Sequence, residues 1–405
     1  MRTITTIRWI DALLNWHTLI GVMWFFCCIV AVAQPAETSS QFTSNFVIKT
    51  WSTSDGLPHL SVTALAQTRD GYIWVGTLAG LARFDGVSFK VFTPQNCPEL
   101  PRSRIGGLFE GRDGTLFITT ERGGGLVALR GGKFEQLLGS GNEEDGIVAC
   151  LRERSGDSLF VAQSGALWRW SGTNLTAIST NRNFYPVLPR SVCQDEKGQI
   201  WMLSQVEETG RLLQFSSGRL ESVALEGALA GGRVCALAQD TQGHIWLGTS
   251  RGLAVFRGNR FESVELPELG NHIEISDLTA CRDGGLWVCR TNYWQRKYKA
   301  GRWVGPASEI SDVRTSLSIV CEDRWGNLCL GRYPEGLVRA SQDGVVSRID
   351  RKCGLPGTTV VCYLADREGN EWLGLFDGGL VRLQPRHFNV WGGTALTTPD
   401  RKSVV

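Results

Sequence analysis

Several residue patterns in this chain carry the types that do chemistry. Gly248-Thr249-Ser250-Arg251-Gly252 matches G-x-S-x-G, the signature of a serine hydrolase nucleophile. That motif works only on a sharp strand-to-helix turn, which holds the serine above an α/β sheet. Ser250 instead falls between two strand-like segments, IWLGT and GLAVF, with no helical pattern beside it. The match is a coincidence of two glycines. The five histidines, His17, His59, His244, His272 and His387, form no H-x-x-x-H or H-x-E arrangement. His244 occupies a turn-to-strand place that Tyr72 holds in a related segment, which reads as structural. Glu143-Glu144-Asp145 and Glu207-Glu208 lie in polar stretches, where solvated loop charge is a better reading than a glycosidase carboxylate pair. Neither a P-loop nor a dinucleotide fingerprint is present. The expectation is therefore no catalytic residue, no metal site and no cofactor.

Of the twelve cysteines, Cys27 and Cys28 lie in an apolar run and the other ten follow it, with no C-x-x-C among them. Arg2 and Arg8 precede that run, LIGVMWFFCCIVAVA, which ends in the small-x-small triplet Ala31-Val32-Ala33. Residues 1–33 read as a secretory signal, or as a signal anchor if uncleaved, with 34–45 as a linker. The run lacks the leucine-rich approach to a lipidated cysteine. Everything after residue 34 is expected in the periplasm or outside the cell, where disulfides are permitted. Cys193 and Cys321 share one offset from a repeated aromatic, and Cys150 and Cys362 share another, which favours small packing residues. The chain has 405 residues, 42% hydrophobic and 20% charged, with a net charge of +2 and no basic run. Nucleic acid and anionic membrane surfaces are not expected partners; contact with a membrane would come only through the N-terminal segment or through parts beyond residue 405.

The elements that must position any site repeat. With 48 Gly, 15 Trp and 17 Phe, the composition points to tight turns between aromatic-rich strands. Aligned on the aromatic of an x-x-Trp segment, copies appear at Trp74, Phe117, Phe160, Trp201, Trp246, Trp287, Cys329 and Trp372. These eight copies are spaced by about 43 residues, the length of a four-stranded propeller blade. In the first copy, SVTALAQ, YIWVGT, LARF and FKVF alternate as four strands, joined by Asp-Gly turns at 70–71 and 85–86. Gly76, Gly248, Gly331 and Gly374 follow the aromatic and leave room for a neighbouring group, while the aromatic fills the gap between blades. The fold class is all-β, a propeller of four-stranded antiparallel blades. FVIKTW at 46–51 and FNVW at 388–391 each read as an isolated fourth strand. A seven-bladed ring over 46–344 would leave 345–405 to begin a second ring; an eight-bladed ring would use the eighth copy to close the first. Gly354-Leu355-Pro356 echoes Gly56-Leu57-Pro58 and favours seven.

The stretch DGLPHLSVTALAQTRDGYIWVGTLAGLARFDGVSFKVF, 55–92, resembles the two-component regulator propeller repeat. The first, fifth and eighth copies carry its Gly-x-Leu-Trp-Ile-Gly-Thr and Gly-Leu-x-Arg-Phe-Asp-Gly pattern well, and the others are more eroded. The resemblance spans roughly 46–392. It implies an exported sensory propeller at the N-terminal end of a two-component histidine kinase, with kinase parts beyond these 405 residues. It implies as partners a small molecule or oligosaccharide and a second protomer.

Within such blades the first–second and third–fourth turns lie on one face. The second–third and blade-to-blade connections lie on the other, where lengths vary and recognition usually sits. Three segments qualify: 94–104, 179–190 and 290–303. Candidate ligand residues are Asn292, Tyr293, Trp294 and Arg296, with Arg182, Tyr185, Arg102 and Arg104 from the other two. Aromatic planes beside multidentate donors suit a sugar or an aromatic metabolite. Two other readings remain open: an exported propeller enzyme, a lyase or glycan-active protein, and a protein-interaction or dimerisation scaffold.

Overall fold

Short runs of β-branched and aromatic residues, broken every few positions by a glycine that tolerates positive φ, can satisfy their backbone only as antiparallel hairpins. Gly71, Gly243 and Gly369, in equivalent first turns, take φ of 90°, 91° and 89°. The structure, a computed structural model, describes residues 46–386 apart from 122–124, 140–145, 163–165, 180–186, 207–208, 267–273, 291–293, 310–316 and 333. Among the described residues no helix is long and apolar enough to cross a membrane. The N-terminal signal, the strand expected at 388–391, and Arg182, Tyr185, Asn292 and Tyr293 lie outside them.

Eight four-stranded antiparallel sheets follow one another along the chain. Blades one to seven occupy 62–92, 105–138, 147–179, 187–223, 234–263, 275–309 and 317–349. The eighth takes three strands from 360–385 and its outer strand from Phe46–Trp51, which pairs antiparallel with Leu380–Pro385. First strands of successive blades touch, and the first strand of blade one, Val62–Gln67, touches that of blade eight, Val360–Ala365. The ring is thus eight-bladed, and the favoured seven-bladed reading is corrected. Segment 345–386 belongs to this ring: Val346–Ile349 ends blade seven and the rest builds blade eight. The Gly-Leu-Pro echo misled because it marks a repeated connection. Thr53–Asp55 and Arg351–Cys353 are both 3-10 turns closed by a left-handed glycine, Gly56 and Gly354, between a fourth strand and the next first strand.

A polar clasp links neighbouring blades. The last residue of a first strand accepts the backbone N–H of a residue in the preceding blade's first turn: Glu110 from Arg69, Gln194 from Arg154, Glu322 from Arg282 and, across the closure, Gln67 from Arg367. Under it lies an acid device. Asp195, Asp240 and Asp366 each accept the Nε1–H of the tryptophan six residues on, at 3.0, 2.9 and 2.7 Å. Thr68 serves Trp74 in the same way at 3.0 Å. Beyond the tryptophan, a Cβ on Gly76 would stand 2.7 Å from Ile105 of blade two, and one on Gly248 2.7 Å from Ile275 of blade six. The neighbour these glycines admit is a β-branched side chain opening the next blade's first strand. Gly331 faces Ile319 within blade seven.

One repeat position shifts. In blade three, Glu153 occupies the acid place, so Leu159 takes the wedge place and packs toward blade four. Phe160, one residue on, points the other way and packs on Phe117 and Trp170. The same shift separates the cysteines: Cys150 faces Phe160, whereas Cys362 faces Gly374.

Candidate functional site

Four of the five wedge tryptophans, Trp74, Trp201, Trp287 and Trp372, are only 1–3% exposed. Trp246 of blade five is the half-buried one. Across the ladder on the third strand, Trp74, Trp287 and Trp372 face Arg83, Lys297 and Arg382, and Trp201 faces Gln214. Trp246 faces Val255, too short to cover an indole. On the next blade it meets Tyr298 edge-on at 5.9 Å, and Tyr298 meets Trp303 at 5.2 Å. A pocket of about 660 Å³ opens between blades five and six on the side of the first–second and third–fourth turns.

Asp240 organises one wall. Its Oδ1 accepts the backbone N–H groups of Gln242 and His244, both at 2.9 Å, while Oδ2 takes Trp246 Nε1–H and lies 3.0 Å from His244 Nδ1. Burial raises this carboxyl, but hydrogen bonds from Trp246 and His244 outweigh it and hold the group below its usual range. An ionised acceptor there makes Nδ1 the donor and leaves Nε2 of the neutral ring as an acceptor. Asn327 and Asn370 donate to Asp323 and Asp366 from the equivalent place, at 2.9 and 2.8 Å. The His244–Asp240 pair is therefore the repeat's own turn lock, with an imidazole edge added to the pocket.

The opposite wall comes from blade six. Asp283 accepts Lys299 at 3.0 Å and Lys297 at 3.0 Å. Burial opposes its ionisation, but both lysines and the Gly285 N–H hold it down to about 2. Burial lifts the Tyr298 phenol, and Arg257 offsets part of that rise. With Glu262 at the rim, the pocket offers an indole face, an imidazole acceptor and charges of both signs. That set fits a polar, ring-containing small molecule better than a hydrocarbon.

Behind this wall, donor atoms of Cys281, Asp283 and Glu322 lie within 4.8 Å of one another, close enough to hold a metal ion. The cation there is Lys297: its side chain is 1% exposed, and its ammonium lies 3.0 Å from Asp283 and 3.5 Å from Glu322. Cys281 replaces the acid that partners the wedge in other blades, and Trp287 Nε1 is buried with no hydrogen-bond partner among the described residues.

Of the residues expected to bind ligand, the four among the described residues lie on two blades: Trp294 and Arg296 on blade six, Arg102 and Arg104 at the entry to blade two. Much of 290–303 is strand: Trp294 opens Trp294–Lys299, and Arg302–Glu309 follows. Arg296 donates to the Gly305 carbonyl at 2.6 Å and stacks over Trp303 at 5.7 Å, inside its own blade. Arg104 pairs with Glu121 at 2.6 Å on blade two, beside exposed Arg102. The pocket lies on the turn face, not the variable-loop face. Its signal in the sequence was a broken repeat position, Val255 where six of the other seven copies carry a long polar residue and the second carries Ala128.

Two segments, 56–79 and 228–251, match the family model described as two component regulator propeller. A histidine kinase of Formosa agariphila is 46% identical over 56 residues, a match covering 14% of this chain and 4% of the kinase. PorZ, a surface component of the type-IX secretion system of Porphyromonas gingivalis, superposes with a TM-score of 0.52 at 14% identity, over 82% of this chain and 47% of its own. A chain described as the extracellular domain of a hybrid two-component system of B. thetaiotaomicron gives 0.47 at 17% identity, over 83% of this chain and 53% of its own. The chain thus spans about half the length of these two solved relatives.

Proposed function

We propose that this ring of two-component regulator propeller repeats is the non-catalytic, ligand-sensing part of an exported sensor whose output is a histidine kinase. The kinase match carries the reading: 56 residues of this chain are 46% identical to a histidine kinase. The apolar run behind Arg2 and Arg8 supports export. The ligand site is the pocket at the seam of blades five and six, and its ligand is a polar small molecule or oligosaccharide lying on Trp246. Signalling through a second protomer fits the same reading.

An antibody raised against the ring tests it in the organism that makes the protein. The expected precipitate is a membrane-fraction polypeptide well above the 44.6 kDa of this chain, and it takes up acid-labile phosphate from ATP. A polypeptide of the chain's own mass that stays unlabelled overturns the proposal.

A further inference from the structure

Blade seven alone has a thiol in the wedge place, and the residue facing that place is also a cysteine. Across the first–second ladder, wedge residues face Ala66, Phe109, Leu151, Cys193, Ala238, Thr279 and Leu364 in the other blades. In blade seven, Cys321 is the register partner of Cys329. Cys329 is fully buried, Cys321 is half-buried, and the two side chains are in hydrogen-bond contact. Nothing in the repeat demands this pairing, because Cys193 occupies the same first-strand place and faces Trp201.

We propose that Cys321 and Cys329 are a redox pair that closes into a cross-strand disulfide by exchange with a small-molecule or protein disulfide. The half-buried Cys321 thiolate attacks one sulfur of the incoming disulfide and expels the other half as a thiolate. Cys329, deprotonated, then attacks Cys321 Sγ, forms the intramolecular S–S bond and expels the second half. The two thiol protons end on the two released thiols, and the incoming disulfide gains two electrons. Facing residues in a ladder hold their Cβ atoms about 4.5–5.5 Å apart, against about 3.5–4.5 Å across a disulfide. The strands must draw in by about 1 Å, which makes such a bond easier to reduce than an unstrained structural one. Burial lifts the Cys329 thiol well above its usual range, so the second step is the slow one. The bond lies under the closing strand: Cys321 and Cys329 share a core with Phe46, Ile48 and Cys353.

Tryptic cleavage at Arg314, Arg324 and Arg332 puts the two thiols on separate peptides, 315–324 and 325–332. The 405-residue chain, incubated with oxidised glutathione, alkylated in denaturant and digested, is expected to yield these peptides linked and lighter by two hydrogens. Reduced glutathione returns both as alkylated monomers. Cys329→Ser should trap Cys321 as its glutathione adduct, while Cys321→Ser leaves Cys329 unmodified. Alkylation of both thiols after oxidation, or linkage of Cys321 to Cys353, overturns the proposal. The wild-type peptide map decides it even if a variant fails to fold.

Discussion

Trp51 offers the sharpest test of an eight-bladed closure. It ends the outer strand of blade eight, is 5% exposed, stacks on Trp372 at 5.4 Å and 22°, and meets Phe84 of blade one edge-on at 5.0 Å. Its core partners Leu57, Val62, Ile73 and Val75 belong to the entry to blade one and to that blade itself. If Phe46–Trp51 closes this ring, Trp51→Ala opens a cavity at the first–eighth seam and costs about 3–5 kcal/mol. Unfolding entropy near 2.1 cal/mol/K per residue, over a ring of roughly 340 residues, is about 0.7 kcal/mol/K, so the melting temperature should fall by about 4–7 °C. Val87→Ala, at an exposed turn, should move it by less than about 1 °C. Because Trp51 and Trp372 stack, Trp372→Ala combined with Trp51→Ala should fall short of additivity by about 0.5–1.5 kcal/mol. The assay is thermal unfolding followed by near-ultraviolet circular dichroism. In a seven-bladed ring this strand would pair with the seventh copy and Trp372 would lie outside the closure. Additive losses, or a Trp51→Ala shift no larger than that of the control, would refute the closure argued here.

Three further outcomes follow from the same seams. Gly248→Ala should lower stability by about 1–3 kcal/mol, because its Cβ meets Ile275 at 2.7 Å and Ala236 at 3.1 Å; a rise, the usual result of Gly→Ala at a permissive position, would show that the seam is loose. The Asp283 carboxyl is held down to about 2, so the stability it contributes is present above its ordinary value of 3.8 and lost as pH falls toward 2. The melting temperature of Asp283→Asn should therefore lie below wild type at pH 7, with the gap narrowing between about pH 4 and pH 2; a gap constant with pH would disprove this ionisation. In a thermal-shift screen of α-glucan, β-glucan and pectin-derived oligosaccharides, a ligand at one hundred times its dissociation constant adds about 2.7 kcal/mol, or about 4 °C by the slope above. Trp246→Ala should abolish the shift, and a shift that survives would place the ligand elsewhere.

The blade period, the glycine of every first turn and the packing glycines of blades one, five, seven and eight were legible because each is a local demand on backbone or volume that repeats along the chain. Blade number was not. It depends on which partner the strand Phe46–Trp51 finds more than three hundred residues away, and a fourth strand looks alike in any blade. The wedge place in blade three was misread because Phe160 adjoins Leu159, and adjacent strand residues face opposite neighbours. Among the loop candidates, Trp294 and Arg296 read as recognition chemistry carried on a loop, yet both lie on a strand. Chemistry by residue type was visible, but its direction was not.

What locates unusual chemistry in this ring is a missing repeat residue together with the neighbour that answers it. Cys329 removes the wedge of blade seven, and buried Arg339 takes up the room. It reaches Asp323 at 3.7 Å and Glu371 of blade eight, and its guanidinium lies 5.2 Å from Phe46. Glu371 sits where Ile73 and Ile245 stand in other blades, so the acid there makes sense only against that arginine. Cys281 removes the acid of blade six, and Lys297 turns to Asp283 and Glu322 instead. Val255 removes the cover of Trp246, whose indole is left half-buried with Tyr298 of blade six at its edge. Two of these three losses are answered across a seam by buried charge, which a drifting repeat must supply to stay folded, since an unpaired buried charge costs several kcal/mol. The third is left open to solvent beside an imidazole and a carboxylate. A loss left half-open is what a structural repeat should eliminate and what a binding site requires, and that asymmetry is the physical reason for proposing the seam of blades five and six as the ligand site.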